Sequence, residues 1–271
     1  MPLSISALFY YPVKSLSGIA VTRAAVGKRG LRQDRAWMVV DEDGRFVTQR
    51  EEKTMSLVTL NEAKNGAFRL SAPSMPDLVI DEGTCQHPAS VVVWRSTCEA
   101  LLAGGDVAAW LSDYLKRPVD LAYLPKTSVR AVNPAFARAG DEVSFADGYP
   151  ILVATEASLE HLNSRLPSPV PMNRFRPNVV LSGASAWEED TWRALEFPAL
   201  RVRVAKPCAR CPIITIDQAT AEKGVEPMRE LLTFRRDGND VLFGQNAIPD
   251  GEGTLAVGDI VIPRISTSPP I

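Results

Sequence analysis

The sequence predicts a mainly β protein with a minority of α+β elements. Three observations point there. The 21 prolines and 17 glycines are spread along all 271 residues, which suits many short strands joined by turns. Apolar residues alternate over short runs through the first hundred positions, the period of a half-buried strand. Helical periodicity is confined to three short segments.

Taken in order, "ISALFYYPV" and "IAVTRAAVG" predict the first strands. "AWMVVD" and "RFVTQRE" flank the turn "DEDG" at 41–44, and Asp-Gly between alternating runs favours a hairpin. "LVTLNEAKNGAFRLSA" predicts another hairpin, turning at Asn65-Gly66, and "SVVVWRSTCEALLAG" one or two more strands. The period changes over 105–116, where Val107, Trp110, Leu111 and Leu115 share one helical face, with Asp106 as N-cap and Arg117-Pro118 as the stop. "VDLAYLP" returns to strand, and 127–150 mixes turn formers with weak periodicity, which predicts loop. A second helix is expected over 155–166, capped by Thr155, with Glu156 near the positive end of its dipole. "NVVLSG", "LEFPALRVRVAKP" and "PIITID" predict strands. A third helix follows Pro227, and two strands surround the final Pro-Asp-Gly turn region. The passage from mainly strand to mixed structure sets an expected domain boundary near 100, giving residues 1–100 and 101–271.

Charge and targeting signals narrow the class. Lys plus Arg number 30 and Asp plus Glu 32, a net charge of −2. No basic excess speaks for a nucleic-acid partner. The N-terminus lacks the basic start and apolar core of a signal peptide, and no run approaches the roughly 20 apolar residues of a membrane span. Four cysteines are no disulfide framework. A cytoplasmic protein without a membrane partner is the expectation.

The pair Cys208-Ala209-Arg210-Cys211 poses the chemical question. It allows a redox dithiol, half a zinc site, one metal-binding thiolate with a bystander, or two inert core residues. The β-branched run after Cys211 predicts a strand rather than the helix N-terminus a redox dithiol prefers. Cys85, Cys98 and the two histidines show no second close pair for zinc. Several cations complicate the choice. Lys14 stands past a strand end beside Ser15, Arg35 precedes a strand, and Arg174 and Arg176 lie in "NRFRPNVVL". Pro177 predicts an extended Arg176, and alternation puts both arginines on one side. Each cation alone reads equally as surface charge. Together with a soft thiolate they suit a metal cofactor with an anionic tail.

The strings "YPVKS", "DRAWMVVDEDGRFVTQRE", "ATEASLEHLNSRL", "NRFRPNVVLSG", "CARC" and "LFGQN", in this order, resemble the MOSC-domain molybdenum enzymes. They match the group with an N-terminal β-barrel domain, which includes bacterial YcbX proteins and the mitochondrial amidoxime-reducing components. The resemblance covers nearly the whole chain. It implies a β-barrel MOSC domain preceded by a MOSC-associated β-barrel-like domain. It implies a molybdenum cofactor (molybdopterin) with Cys211 as the metal ligand. Lys14, Ser15, Arg35, Arg176 and Asn178 would hold the pterin and its phosphate. Asp147 would lie beside the metal, flanked by Gly148 and Tyr149. The family description also carries pyridoxal phosphate binding.

The implied reaction is reduction of small N-hydroxylated compounds, N–OH to N–H plus water. A thiolate adds a soft ligand to the cofactor's dithiolene sulfurs, and the cofactor carries the redox chemistry. YcbX-like chains often carry a ferredoxin domain with four clustered cysteines, whereas this chain has no cysteine after Cys211. Electrons are therefore expected from an external electron-transfer protein, ferredoxin-like or a flavin reductase. The competing function is sulfur carriage or cofactor handling, with Cys211 as a persulfide carrier.

Overall fold

The computed structural model describes residues 2–265. Its strands in chain order begin with β1 (Ser4–Tyr10), β2 (Ile19–Val21), β3 (Arg23–Gly27), β4 (Gly30–Leu31), β5 (Trp37–Val40), β6 (Thr59–Glu62), β7 (Phe68–Ser71), β8 (Leu78–Ile80), β9 (His87–Val93) and β10 (Ser96–Leu102). They continue with β11 (Asp120–Tyr123), β12 (Ile151–Thr155), β13 (Val179–Ser182), β14 (Trp192–Phe197), β15 (Leu200–Ala209), β16 (Arg236–Asp237), β17 (Asp240–Pro249), β18 (Gly253–Ala256) and β19 (Ile262–Ile265).

These strands form four sheets. The largest runs β19-β14-β15-β17-β12-β13-β1-β2, with β16 added on β17. The others are β5-β11-β10-β9, β18-β3-β4 and β6-β7-β8. The expectation of a mainly β protein holds. None of the four described sheets closes into a ring of paired strands, so the expected barrels are represented by open sheets among the described residues.

Sequence neighbours are not always sheet neighbours. β1 pairs antiparallel with β13, Leu8 opposite Val179, so the first strand completes a sheet built mostly from residues beyond 150. β17 and β18 flank the Pro-Asp-Gly turn as expected but enter different sheets, since β18 pairs with β3. Residue 100 lies inside β10, which pairs with β9 on one side and β11 on the other. The main apolar cluster draws on both halves, from Ile5 through Trp37, Phe68 and Trp192 to Leu255, all essentially buried.

Local signals hold in most places. The Asn65-Gly66 turn joins β6 to β7, with both residues at positive φ. Helix α1 (Gly105–Leu115) buries Val107, Trp110, Leu111 and Leu115, the apolar stripe written in the sequence. Its N-cap is Gly104 at φ 64° rather than Asp106, which sits in the first turn. There the carboxylate faces the dipole's positive end. Helix α2 (Glu156–Asn163) is capped by Thr155, whose side chain accepts from the Ser158 amide at 3.2 Å, and it ends before residue 166. Helix α3 (Met228–Phe234) follows Pro227. No described helix is long and apolar enough to cross a membrane.

Two predicted strands are absent. "RFVTQRE" makes only isolated bridges, Val40 with Phe46 and Arg45 with Val92, instead of a hairpin strand, and "PIITID" forms no strand. Residues 212–215 of "PIITID" fold as a 3-10 turn with Cys211 as its N-cap and Pro212 first. Pro212 has no N–H to give a ladder, and pairing of β15 with β17 ends at Ala209 opposite Leu242. The strand-based objection to a dithiol therefore falls away.

Candidate functional site

The loop after β1, the turn before β5, the 144–149 loop, the segment between α2 and β13, and the end of β15 converge on one pocket. Lys14, Ser15, Arg35, Asp147, Gly148, Tyr149, Arg176, Asn178 and Cys211 all line it. These residues are as much as 197 positions apart in the chain (211 − 14).

The backbone at the site is unusual. Ser15, Arg35, Trp94 and Arg176 hold φ of 68°, 49°, 55° and 54°, and all four line the pocket. A left-handed non-glycine residue costs on the order of 1–3 kcal/mol and tends to collect at functional sites. This corrects the extended conformation expected of Arg176. Its amide donates to Asn173 O at 3.2 Å, curling out of the 3-10 turn at Met172–Arg174. The same turn sends Arg174 elsewhere. Its guanidinium donates to Ile214 O (3.2 Å) and Asp217 Oδ2 (3.1 Å), so the two arginines do not share a side.

A buried polar knot fixes the cations. The Asp34 side chain is 0 % exposed and accepts from the Tyr11 amide (2.8 Å), Asn178 Nδ2 (3.0 Å) and Arg35 Nη1 (2.6 and 2.8 Å). Burial pushes the Asp34 carboxyl up, and Arg35, the Tyr11 amide and Asn178 pull it back in part. Asn178 Oδ1 accepts from Arg35 Nη1 (3.2 Å) and the Leu152 amide (3.1 Å), and its Nδ2 also donates to Phe9 O (3.2 Å). Its polar atoms are thus committed inside the protein. The Arg35 and Arg176 guanidiniums both stack over the Tyr11 ring, 4.1 and 4.2 Å from its centroid. Arg176 Nη2 is buried without a hydrogen-bond partner, and burial lowers its pKa to about 10.

Lys14 Nζ donates to Phe145 O at 2.9 Å and to Asp147 Oδ1 at 2.5 Å. The Lys14 side chain is 7 % exposed and that of Asp147 64 %. Burial pulls the Lys14 pKa down, opposed by Asp147. Desolvation raises the Asp147 carboxyl, but at so open a position the Lys14 ammonium outweighs it and holds the acid well below the usual range. Trp94 Nε1 donates to the same oxygen at 3.0 Å. Arg130, 6 % exposed, braces this loop by donating to Ser144 O (2.7 Å), Ala146 O (2.5 Å) and Asp147 O (3.2 Å).

Both Cys208 and Cys211 are free, partly exposed thiols on the pocket. Arg210 Nη1 lies 3.0 Å from Cys208 Sγ and its Nη2 donates to Phe175 O at 2.7 Å. Among the described residues no three His, Cys, Asp or Glu side chains converge as a metal cage. Cys211 therefore suits a metal that brings most of its own ligands. The unpartnered Arg176 nitrogen suits an anionic tail. The donor set fits a dithiolene-bound metal with a phosphate.

Tyr11, Asp34, Trp94, Arg130 and Arg210 carry weight in the site without having stood out in the sequence. Tyr11, Asp34 and Arg210 lie inside the very strings "YPVKS", "DRAW" and "CARC". Trp94 and Arg130 had no such signal, since their role depends on a fold-made contact with the Asp147 loop.

Comparison with known proteins gives the family. Residues 3–118 match the MOSC N-terminal beta barrel domain and residues 140–262 the MOSC domain. Mitochondrial amidoxime-reducing component 1 of Mus musculus is 32% identical over 281 residues, covering 95% of this chain and 81% of that protein. The Homo sapiens component 1 is also 32% identical, covering 95% and 82%. Component 2 of Rattus norvegicus is 33% identical over 285 residues, again covering 95% and 82%. The cytoplasmic expectation is corrected by these relatives, which are named as mitochondrial. Similarity of this extent, with both domains matched in order, shows that the chain belongs to the MOSC-domain family of the amidoxime-reducing components.

Proposed function

We propose that this protein is a molybdenum-cofactor-dependent reductase of N-hydroxylated compounds. One observation carries the reading. A free thiol, Cys211, shares a pocket with Arg176, whose buried Nη2 has no hydrogen-bond partner. The overall change is R–NHOH plus two electrons and two protons to R–NH2 plus water. When bound, the cofactor supplies the two-electron redox change and the oxygen acceptor.

The chain's own residues do the rest. Cys211, deprotonated, would hold the metal as a soft ligand. Arg176 and Arg35 would bind the tail phosphate by charge-assisted hydrogen bonds, with Lys14 adding positive charge behind them. Asn178 and Asp34 act through Arg35, keeping its fork in place. Ser15, Gly148 and Tyr149 supply wall and backbone. Asp147, kept ionised by Lys14, accepts a hydrogen bond from the substrate N–OH and orients it. Electrons come from an external electron-transfer protein, ferredoxin-like or a flavin reductase. A division into residues 1–100 and 101–271 belongs to the same reading, with the pocket drawing on both parts. The geometry does not favour a pyridoxal phosphate group. Lys14, the lysine lining this pocket, is tied to Asp147 and Phe145 O rather than free to form a Schiff base.

The test is to express the chain in a host that makes the cofactor, measure bound molybdenum, and assay benzamidoxime reduction with reduced methyl viologen. Stoichiometric metal with turnover, both lost in Cys211→Ala, is expected. Metal-free protein that instead takes sulfur from a cysteine desulfurase onto Cys211 would replace this function with sulfur carriage.

A further inference from the structure

Trp94 is the feature of the pocket that cofactor binding leaves unexplained. It lines the pocket with Cys211, yet it is a large apolar residue left 43% exposed. It occupies the first position of the two-residue turn between β9 and β10, flanked by the Val93–Ser96 pair, at φ 55°. Asn or Gly is the usual choice there, so tryptophan stands against the backbone's preference.

Its ring is also held in one orientation. The indole N–H donates to Asp147 Oδ1 at 3.0 Å. The Arg50 guanidinium lies over the ring at 4.4 Å from its centroid, and the Phe46 ring packs at 5.1 Å. Arg50 lies over the ring and Phe46 packs against it at a tilt, while the residue stays 43% exposed and lines the pocket. A rigid aromatic surface beside the residue that orients the N–OH group has one evident use. It can stack a planar conjugated group attached to the reacting nitrogen.

Building on the proposed reductase function, we infer that Trp94 is a specificity-determining residue, a stacking wall that selects N-hydroxylated substrates carrying a planar aromatic group over aliphatic ones. Asp147 fixes the ring and the substrate N–OH together, so ring position and reacting group are set by one carboxylate. Stacking acts on the aromatic body and leaves the N–OH chemistry to the rest of the site.

The test uses the molybdenum-loaded protein with reduced methyl viologen and two substrates, benzamidoxime and acetamidoxime, which share the reacting group. Trp94→Asn suits the left-handed turn and keeps the hairpin. It should lower the benzamidoxime-to-acetamidoxime ratio of kcat/KM by about two- to tenfold, the size of one stacked aromatic pair. Trp94→Phe should keep most of the ratio. Calorimetric binding of benzamidoxime without any electron donor should weaken by a similar factor in Trp94→Asn. An unchanged ratio in Trp94→Asn, or equal loss for both substrates, overturns the stacking wall. Should wild-type protein reduce neither substrate while benzamidoxime binding still depends on Trp94, the reductase reading falls and the wall stands.

Discussion

Replacing Arg176 by methionine should make the cofactor-free protein more stable and insensitive to phosphate-like anions. The guanidinium's pKa is lowered from 12.5 to about 10, mainly by burial, with Arg35 adding repulsion. A base whose folded pKa is depressed carries its charge at a cost throughout the range below that pKa, so the cost is fully present at pH 7. At 1.36 kcal/mol per unit the penalty is at most about 3 kcal/mol. The variant gives back the stacking over Tyr11, worth about 1 kcal/mol, and keeps the left-handed backbone. A net gain of about 1–2 kcal/mol remains, or a Tm rise of roughly 2–8 °C for a chain of this size. The assay is thermal unfolding at pH 7 of protein made without the cofactor, with and without inorganic pyrophosphate. Wild type should gain about 2.7 kcal/mol at a hundred times the pyrophosphate Kd, and Arg176→Met should gain little. A variant that melts below wild type and still responds fully to pyrophosphate would refute both the buried-charge reasoning and the anion site.

Three further outcomes follow from the same geometry. Cys211→Ser should lose molybdenum and turnover, whereas Cys208→Ala should retain bound metal, as elemental analysis would show; equal loss in the two would mean the thiols act as a pair. Gly30→Ala should destabilise by about 1–3 kcal/mol in denaturant titration, since Gly30 sits at φ 88° with an added Cβ only 2.2 Å from Pro150 O, and little change would mean the β4 turn yields easily. Stability should fall as pH rises from about 10 to 12, because burial raises Tyr11 and Tyr123 to about 12; raised pKa values give stability that is present below the unfolded value near 10 and lost through the folded one. Tyr11→Phe should flatten that alkaline loss in unfolding measurements, and an unaltered profile would exclude Tyr11 as a cause.

Local chemistry alone determined much of this protein. The stripe of Val107, Trp110, Leu111 and Leu115 names its helix, because a 3.6-residue period acts within a few turns. Asn65-Gly66 names its turn, since Asn and Gly tolerate positive φ. The strings holding Lys14, Arg35, Arg176 and Cys211 mark one site's members through family resemblance, and the same resemblance adds Asp147. Tertiary structure decided what depends on distant partners. β1 joins β13 because a strand's edge pairs with whatever the fold brings beside it, and alternation carries no register for that choice. Arg176 turns left-handed because its amide caps a 3-10 turn while Arg35 holds its carbonyl, two contacts that outweigh the influence of Pro177. Cys211 caps a turn because Pro212 ends the ladder, against the strand preference of the isoleucines. Trp94 and Arg130 matter through Asp147, from 53 and 17 residues away in the chain, and side-chain contacts at such separations exist only once the sheets have packed.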